Sequence, residues 1–152
     1  MSSSKTELTL EYLSSGYMCS EAMLAPYAEQ AGLPEDVALK IAGGFAGGMA
    51  QGKTCGAVTG GFIVLGLLFG AGTSKKQYSR ELCFQLVQEY THRFEERRST
   101  IECEKILAMN GVDFHNPDDM KTLRTCGLCD KVVRDASEVL EELLAEYEGE
   151  AS

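Results

Sequence analysis

Residues 43–72 have the sequence GGFAGGMAQGKTCGAVTGGFIVLGLLFGAG, and this stretch decides the fold. It contains most of the chain's 16 glycines and its most apolar run. We interpret it as a glycine-rich loop that delivers a thiol, Cys55, followed by a buried helix. Thr54 is placed to cap this helix by accepting a hydrogen bond from a free amide of the first turn. The stretch therefore predicts a cysteine at the start of a buried helix.

This position favours a reactive Cys55. In the first helical turn, the free backbone amides and the helix dipole stabilise a negative charge, and Lys53 precedes the thiol. Both features lower the pKa of a thiol and make it a better nucleophile or metal ligand. The alternative is a small buried residue, because cysteine is among the most buried residue types. The local sequence leaves both interpretations open.

Length and composition narrow the class of protein. The 152 residues, 44% of them hydrophobic, predict one domain over 1–152, with frayed ends at 1–5 and 148–152. A net charge of −9 argues against a nucleic-acid partner and against an anionic membrane surface. The first twenty residues do not form a secretory signal, so we expect a cytoplasmic protein, in which structural disulfides are rare. Six cysteines in such a chain indicate metal or redox chemistry.

One segment resembles a membrane span. Residues 54–74 carry no charge, and ~20 apolar residues can cross a bilayer. Glycine and small polar residues interrupt the segment, which leaves 57–69 as its hydrophobic part. Gly52, Gly56 and Gly60 form a smooth stripe that another helix can approach closely, in a membrane or in a soluble core. We predict a buried helix and no membrane association.

Apolar periodicity predicts an all-α single domain of about six or seven helices around a glycine-rich buried central helix. No alternating run of polar and apolar residues is long enough to indicate a strand. Segment 112–125 is predicted as a loop with one helical turn at most. We expect helices at about 6–13, at 18–31, over 57–69, and from 73 or 74 to about 97. The helix at 18–31 should be kinked or divided at Pro26. Three further helices should begin after Pro34, after a Ser99 cap and after an Asp130 cap.

Five of the six cysteines fall near a predicted helix start. Cys19, Cys55 and Cys103 lie at or within about a turn of one, and Cys126 and Cys129 immediately precede the last helix. Thiols near helix N-termini are those whose thiolate form is stabilised. These five residues are therefore our candidates for the functional site.

Cys126 and Cys129 form a C-x-x-C motif, whose sulfurs can reach one metal ion or each other in a reducible disulfide. A zinc ribbon needs a second C-x-x-C, and a thioredoxin-like motif needs a βαβ context; both are missing. A purely structural pair stays open as well. Cys83 lies mid-helix on an apolar stripe and is predicted to be a core residue.

Residues 47–54, GGMAQGKT, satisfy the phosphate-binding pattern G-x-x-x-x-G-K-[ST]. This motif requires a preceding β-strand, and the segment ALKIAGGFA does not indicate one. An apolar strand that ends in an Mg²⁺-binding Asp is also missing. We therefore do not favour nucleotide binding.

The cysteine pattern as a whole resembles that of the C_GCAxxG_C_C family, small bacterial proteins regarded as redox-active. The resemblance spans nearly the whole chain, although Cys55-Gly56-Ala57 departs from the Gly-Cys-Ala of the family name. It implies an α-helical domain with four principal cysteines and no particular substrate. The matching segments are GYMCSEAML with Cys19, GGFAGGMAQGKTCGAVTGG with Cys55, IECEKIL with Cys103 and CDKVVRDASEVLEEL with Cys129.

We predict thiol–disulfide exchange or electron transfer by clustered cysteines, with an unidentified redox partner; a thiol–disulfide oxidoreductase is one form of this. A low-pKa thiolate at Cys55 attacks a disulfide or an oxidant, and Cys129 or Cys19 resolves the intermediate. Cys103 completes the cluster. Whether Cys126 shares the role of Cys129 stays open.

Two alternatives remain. In the first, Cys19, Cys55, Cys103 and Cys129 bind an iron–sulfur cluster or a zinc ion. In the second, the chain is a helical interaction module without catalysis, and the glycine stripe forms the seam of a homodimer. The same four cysteines serve the redox and the metal hypotheses, so the sequence does not discriminate between them.

Overall fold

The computed structural model describes residues 4–123 and 127–151, with side chains up to residue 147. These ranges contain eight α-helices and no strand, which confirms the predicted all-α class. The helices are α1 (Lys5–Ser14), α2 (Cys19–Ala28), α3 (Glu35–Ala42), α4 (Gly56–Phe69), α5 (Gln77–Arg98), α6 (Cys103–Met109), α7 (Pro117–Thr122) and α8 (Leu128–Ala151).

The described ranges contain one α-helix more than the predicted number of about six or seven, because segment 112–125, predicted as a loop with one helical turn at most, contains the six-residue helix α7. Asn116 caps this helix by accepting hydrogen bonds from the amides of Asp118 and Asp119. Pro117 occupies the first helical position, where its missing amide costs nothing. The Asn-Pro-Asp-Asp sequence is therefore a helix start rather than a turn.

Helix α2 is not divided at Pro26, which lies inside it two residues before its end at Ala28. Lys5 of α1 donates a 2.7 Å hydrogen bond from Nζ to the carbonyl oxygen of Pro26. The contact ties the first helix to the end of the second.

The glycines of α4 allow two other helices of the same chain to approach it. A β-carbon at Gly60 would lie 2.7 Å from Cβ of Met23 in α2, and one at Gly61 would lie 2.6 Å from the ring of Tyr90 in α5. Gly52 is not part of α4. The stripe of Gly52, Gly56 and Gly60 is covered by Phe114, Cys19 and Met23 of the same chain, so it does not support a homodimer seam; the homodimer itself stays a prediction.

The hydrophobic core is built where α4 packs against α2, α5 and α8. Its largest fully buried side chains include Tyr90 and Phe94 of α5 and Leu140 and Leu143 of α8. Helix α4 has 14 residues. None of the helices in the described ranges combines the length and the hydrophobicity needed to cross a bilayer.

Candidate functional site

The N-terminal ends of four helices meet at one cavity of about 580 Å³. Cys19 is the first residue of α2, Cys55 is the N-cap of α4, Cys103 is the first residue of α6, and Cys129 is the second residue of α8. All four cysteines line the cavity, whereas Cys83, on α5, does not. The fold thus brings four of the five candidate cysteines together.

The fifth candidate, Cys126, lies outside the described residues. The C-x-x-C prediction for Cys126 and Cys129 therefore stays a prediction.

The walls of this cavity, which we call the cysteine cavity, are mainly apolar. Tyr17 and Met18, which line the cavity, are 38% and 43% exposed. Asp130 is the one charged side chain among the described lining residues. The apolar wall consists of Leu13, Ile106, Leu107, Met120, Leu123, Leu128, Val132 and Val133.

A short antiparallel bridge between Thr54 and Glu102 joins the segments that lead into α4 and α6. The amides of Cys55 and Cys103 donate the two flanking hydrogen bonds, of 2.7 and 2.6 Å, to carbonyl oxygens of the opposite segment. Backbone pairing therefore holds these two cysteines on neighbouring segments, although they are far apart in sequence.

The bridge overturns two predicted caps. Thr54 does not cap α4, because it is paired with Glu102 and Cys55 itself occupies the cap position. Helix α6 begins at Cys103 with Glu102 as its N-cap, so Ser99 does not cap it. Both predictions rested on local patterns, which do not reveal pairing with a distant segment.

A left-handed turn leads from α3 to the bridge. Residues 47–50 all have positive φ angles, between 58° and 65°, which is a strained conformation for Met49 and Ala50. There is also no room for a side chain at position 48, because a β-carbon there would lie 2.9 Å from Cβ of Cys103. The residues that match the phosphate-binding motif form this turn, and α3 precedes them instead of the strand that the motif requires.

The sulfur of Cys19 packs directly against Gly56, in the space that a β-carbon of residue 56 would need. Burial raises the pKa of Cys19 above the ordinary thiol value of 9.0. Hydrogen bonds from the backbone amides of Gly47, Ser20 and Cys19 itself act in the opposite direction. Cys19 is therefore a half-buried thiol whose pKa is raised by the loss of hydration and lowered in part by nearby backbone amides.

Cys55 is only 7% exposed. Burial raises its pKa far above the ordinary value, and a negative charge on Cys19 raises it further, while the amides of Ala57 and Val58 lower it only in part. The predicted low pKa of Cys55 is therefore wrong. The loss of hydration raises the pKa of Cys55 more than the helix start lowers it. The sequence alone could show the helix start but not the loss of hydration.

Cys103 is also shifted towards its neutral form. Burial raises its pKa to about 11, and negative charges on Cys19 and Glu104 add to the shift. Ionised Cys19 thus raises the pKa of both Cys55 and Cys103. All three of these thiols line the same cavity.

A metal site would need several ligands around one point. Among the described residues, which do not include Cys126, no group of three or more His, Cys, Asp or Glu side chains is arranged to hold a metal ion. The hypothesis of an iron–sulfur cluster or zinc ion on Cys19, Cys55, Cys103 and Cys129 stays a prediction.

Sequence reasoning missed the apolar wall of the cavity, although a signal was present. Ile106 and Leu107 follow Cys103 by three and four residues, and Val132 and Val133 follow Cys129 by the same spacing. Residues three and four apart share one helix face. Each cysteine thus marks a helix face whose next apolar residues complete the cavity.

The chain was compared with known proteins and families. The family model described as "Putative redox-active protein (C_GCAxxG_C_C)" matches residues 17–143, a range that includes all four cysteines of the cavity. No significant match was found among curated proteins or among solved structures.

Proposed function

The chain belongs to the C_GCAxxG_C_C family of redox-active proteins, and from this premise we propose that it carries out thiol–disulfide exchange in the cysteine cavity. Cys19 is the attacking thiol, and Cys55 completes the exchange. The observation that carries this proposal is the position of the Cys19 sulfur, which packs against Gly56, next to Cys55, in a cavity lined by two further cysteines.

Three features support Cys19 as the attacking residue. It is the first residue of α2, which has ten residues, so the helix dipole favours its thiolate. The nearby backbone amides of Gly47 and Ser20 lower the pKa of its thiol, against the larger effect of burial. Cys55, in contrast, is almost completely buried and has the more strongly raised pKa.

The reaction begins when Cys19 loses its proton to solvent. Its thiolate attacks one sulfur of a disulfide ligand, a new S–S bond forms to Cys19, and the S–S bond of the ligand breaks. The first ligand thiolate is released and takes the proton of Cys55. The Cys55 thiolate then attacks Cys19 and displaces the second ligand thiolate, which takes a proton from solvent. Two electrons pass from the protein dithiol to the ligand, which leaves as two thiols.

The electrostatics of the pair order these steps. Before the first step, a negative charge on Cys19 opposes ionisation of Cys55. The mixed disulfide on Cys19 carries no charge, so the pKa of Cys55 falls once the first step is complete. A mixed disulfide on Cys19 therefore does not oppose ionisation of Cys55, as a Cys19 thiolate would.

The test uses single cysteine variants and bis(hydroxyethyl) disulfide, without oxygen, followed by mass spectrometry of the intact protein and its peptides. Cys55→Ser should accumulate a mixed disulfide on Cys19, because the resolving thiol is absent. Cys19→Ser should not form a mixed disulfide at a comparable rate, because the attacking thiol is absent. Cys83→Ser, which alters a cysteine outside the cavity, should react like the unaltered chain.

Two results would contradict the assignment. If Cys19→Ser reacts as fast as the unaltered chain, Cys19 is not the attacking thiol. If a folded Cys55→Ser variant forms an internal disulfide as fast as the unaltered chain does, Cys55 is not the resolving thiol. Circular dichroism of each variant shows whether the helical fold is retained.

A further inference from the structure

We propose that the left-handed turn at residues 47–50 is a redox-sensitive element of the cysteine cavity. The turn is held under strain while Cys19 is a free thiol, and it relaxes when Cys19 is bonded to Cys55. The strain therefore shifts the equilibrium of this pair towards the disulfide. The inference rests on the proposed thiol–disulfide exchange, because it concerns the regulation of that same site.

The strain of the turn lies in two of its residues. Its four consecutive residues have left-handed φ angles of 65°, 64°, 60° and 58°. Glycine adopts such angles freely, which accounts for Gly47 and Gly48, whereas the side chains of Met49 and Ala50 make them unfavourable. Strained residues of this kind persist only where the surrounding structure holds them. The free energy stored at Met49 and Ala50 is therefore released by any change that lets the turn relax.

The turn is anchored close to the sulfur of Cys19. Its first hydrogen bond, of 3.0 Å, runs from the amide of Met49 to the carbonyl oxygen of Phe45. That oxygen would lie 3.2 Å from a β-carbon at Gly56, the position against which the sulfur of Cys19 also packs. Gly47 lines the cavity, and its amide lowers the pKa of the Cys19 thiol. The thiol thus lies close to both the anchor and the first residue of the turn.

Formation of the disulfide changes this arrangement. Cys19 and Cys55 are free thiols in the structure, so the strained turn belongs to the dithiol state. A disulfide has a narrow geometry, and at least one of the two sulfurs must move to form it. We assign the movement to Cys19, because Cys55 is 7% exposed and its amide is held by the carbonyl oxygen of Ile101 at 2.7 Å. The sulfur of Cys19 then leaves its contact at Gly56, and the anchor of the turn loses its packing.

The expected consequence is a shift of the redox equilibrium. Strain that is present in the dithiol state and absent from the disulfide state favours the disulfide by that difference in free energy. The strained turn therefore makes the protein dithiol a stronger reductant. Relief of the strain should favour the dithiol, and additional strain should favour the disulfide.

The test measures the equilibrium constant of the Cys19–Cys55 pair in mixtures of oxidised and reduced dithiothreitol, without oxygen. In this reaction the protein dithiol gives two electrons and two protons to the cyclic disulfide of oxidised dithiothreitol. Ala50→Gly relieves strain at an exposed position and should shift the equilibrium towards the dithiol at least about fivefold. Gly47→Ala adds strain without a clash, because its β-carbon would meet nothing within 4 Å, and should shift the equilibrium in the opposite direction.

Two matched controls lie in the connection between α4 and α5. This connection follows the end of α4 farthest from Cys55, about 20 Å away along the helix. Lys75 has a left-handed φ of 54°, so Lys75→Gly relieves the same kind of strain there. Gly72 has a φ of 56° and space for a β-carbon, so Gly72→Ala adds such strain. Both controls should change the free energy of unfolding and leave the redox equilibrium unchanged.

Amide hydrogen exchange of the unaltered chain provides a second readout. The amide of Met49 should exchange at least about tenfold faster in the disulfide form than in the dithiol form, because its hydrogen bond to Phe45 is weakened. The amide of Val64, a fully buried residue of α4, is the internal control and should not exchange faster.

The outcomes separate this inference from the proposed function. An unchanged equilibrium in Ala50→Gly, a shift towards its disulfide, or shifts that the two controls reproduce would overturn the redox-sensitive turn and leave the exchange chemistry intact. Unchanged or slower exchange of the Met49 amide in the disulfide form would do the same. A chain that forms no Cys19–Cys55 disulfide at any ratio of oxidised to reduced dithiothreitol would overturn the proposed function itself.

Discussion

Cys19 and Gly56 share one space: the sulfur of Cys19 lies where a β-carbon of residue 56 would stand. Alanine would be the better residue for the first position of a helix, so helix formation does not account for this glycine. Its backbone brings the thiol of α2 against the start of α4, next to Cys55. The absence of one side-chain atom therefore creates the contact on which the proposed exchange depends.

The first prediction concerns this contact. Gly56→Ala should displace the Cys19 thiol and slow its reaction with bis(hydroxyethyl) disulfide at least about tenfold, the change expected when a reacting group moves by about 1 Å. Gly66→Ala is the control, because a β-carbon at Gly66 meets nothing within 4 Å. A folded Gly56→Ala variant that reacts at the unaltered rate would show that the close contact is not required.

The second prediction concerns the helix packing of α4. Gly61→Ala should destabilise the fold by about 1–3 kcal/mol, because its β-carbon would stand 2.6 Å from the ring of Tyr90. Gly66→Ala, on the exposed side of the same helix, should be neutral or stabilise by up to about 1 kcal/mol. Urea denaturation measures both changes in the free energy of unfolding. Similar values for the two variants would contradict the described packing of α4 against α5.

The third prediction concerns pH. Burial raises the pKa of Cys19 above 9.0, so at neutral pH only a small fraction of this thiol is ionised. Below its pKa the thiolate fraction rises about tenfold for each pH unit, and the rate of exchange follows that fraction. The rate of mixed-disulfide formation by Cys55→Ser should therefore rise from pH 7 to pH 9, a range of about two units, without reaching a plateau. A plateau at or below neutral pH would indicate a low-pKa thiolate and contradict the burial effect.

The fourth prediction separates thiol exchange from the metal alternative. Protein purified without oxygen should have no visible absorption bands and no stoichiometric iron or zinc. Elemental analysis and an absorption spectrum of the same sample provide the measurement, and reconstitution with iron and sulfide excludes loss of a cluster during purification. Visible bands with stoichiometric iron would make the chain a cluster protein instead.

The sequence predicted the placement of the cysteines near helix starts better than it predicted the chemistry of their thiols. Cysteine positions relative to helix ends follow from local signals, such as the Met18–Glu21 backbone cap of α2 and the glycines before α4. The pKa of Cys55 depends instead on how much water the folded chain removes. That quantity is a property of the packed bundle, so a local pattern predicted the wrong direction.

The bridge between Thr54 and Glu102 and the left-handed turn at 47–50 could not be predicted from local patterns. A bridge needs a partner segment from a distant part of the chain, and the segment before Cys103 resembles a helix start. The turn includes Met49 and Ala50, whose positive φ angles are unfavourable for residues with side chains. The surrounding structure must impose this conformation, and it does so beside the cysteine cavity.

The central claim is that Cys19 and Cys55 interconvert between a dithiol and a disulfide. The most direct measurement is an anaerobic redox titration in dithiothreitol buffers, with alkylation of the remaining thiols and peptide mapping at each potential. The account predicts one reversible two-electron transition in which the peptides of Cys19 and Cys55 become linked. A transition that links a different pair, or thiols that stay reduced over the whole range, would contradict it.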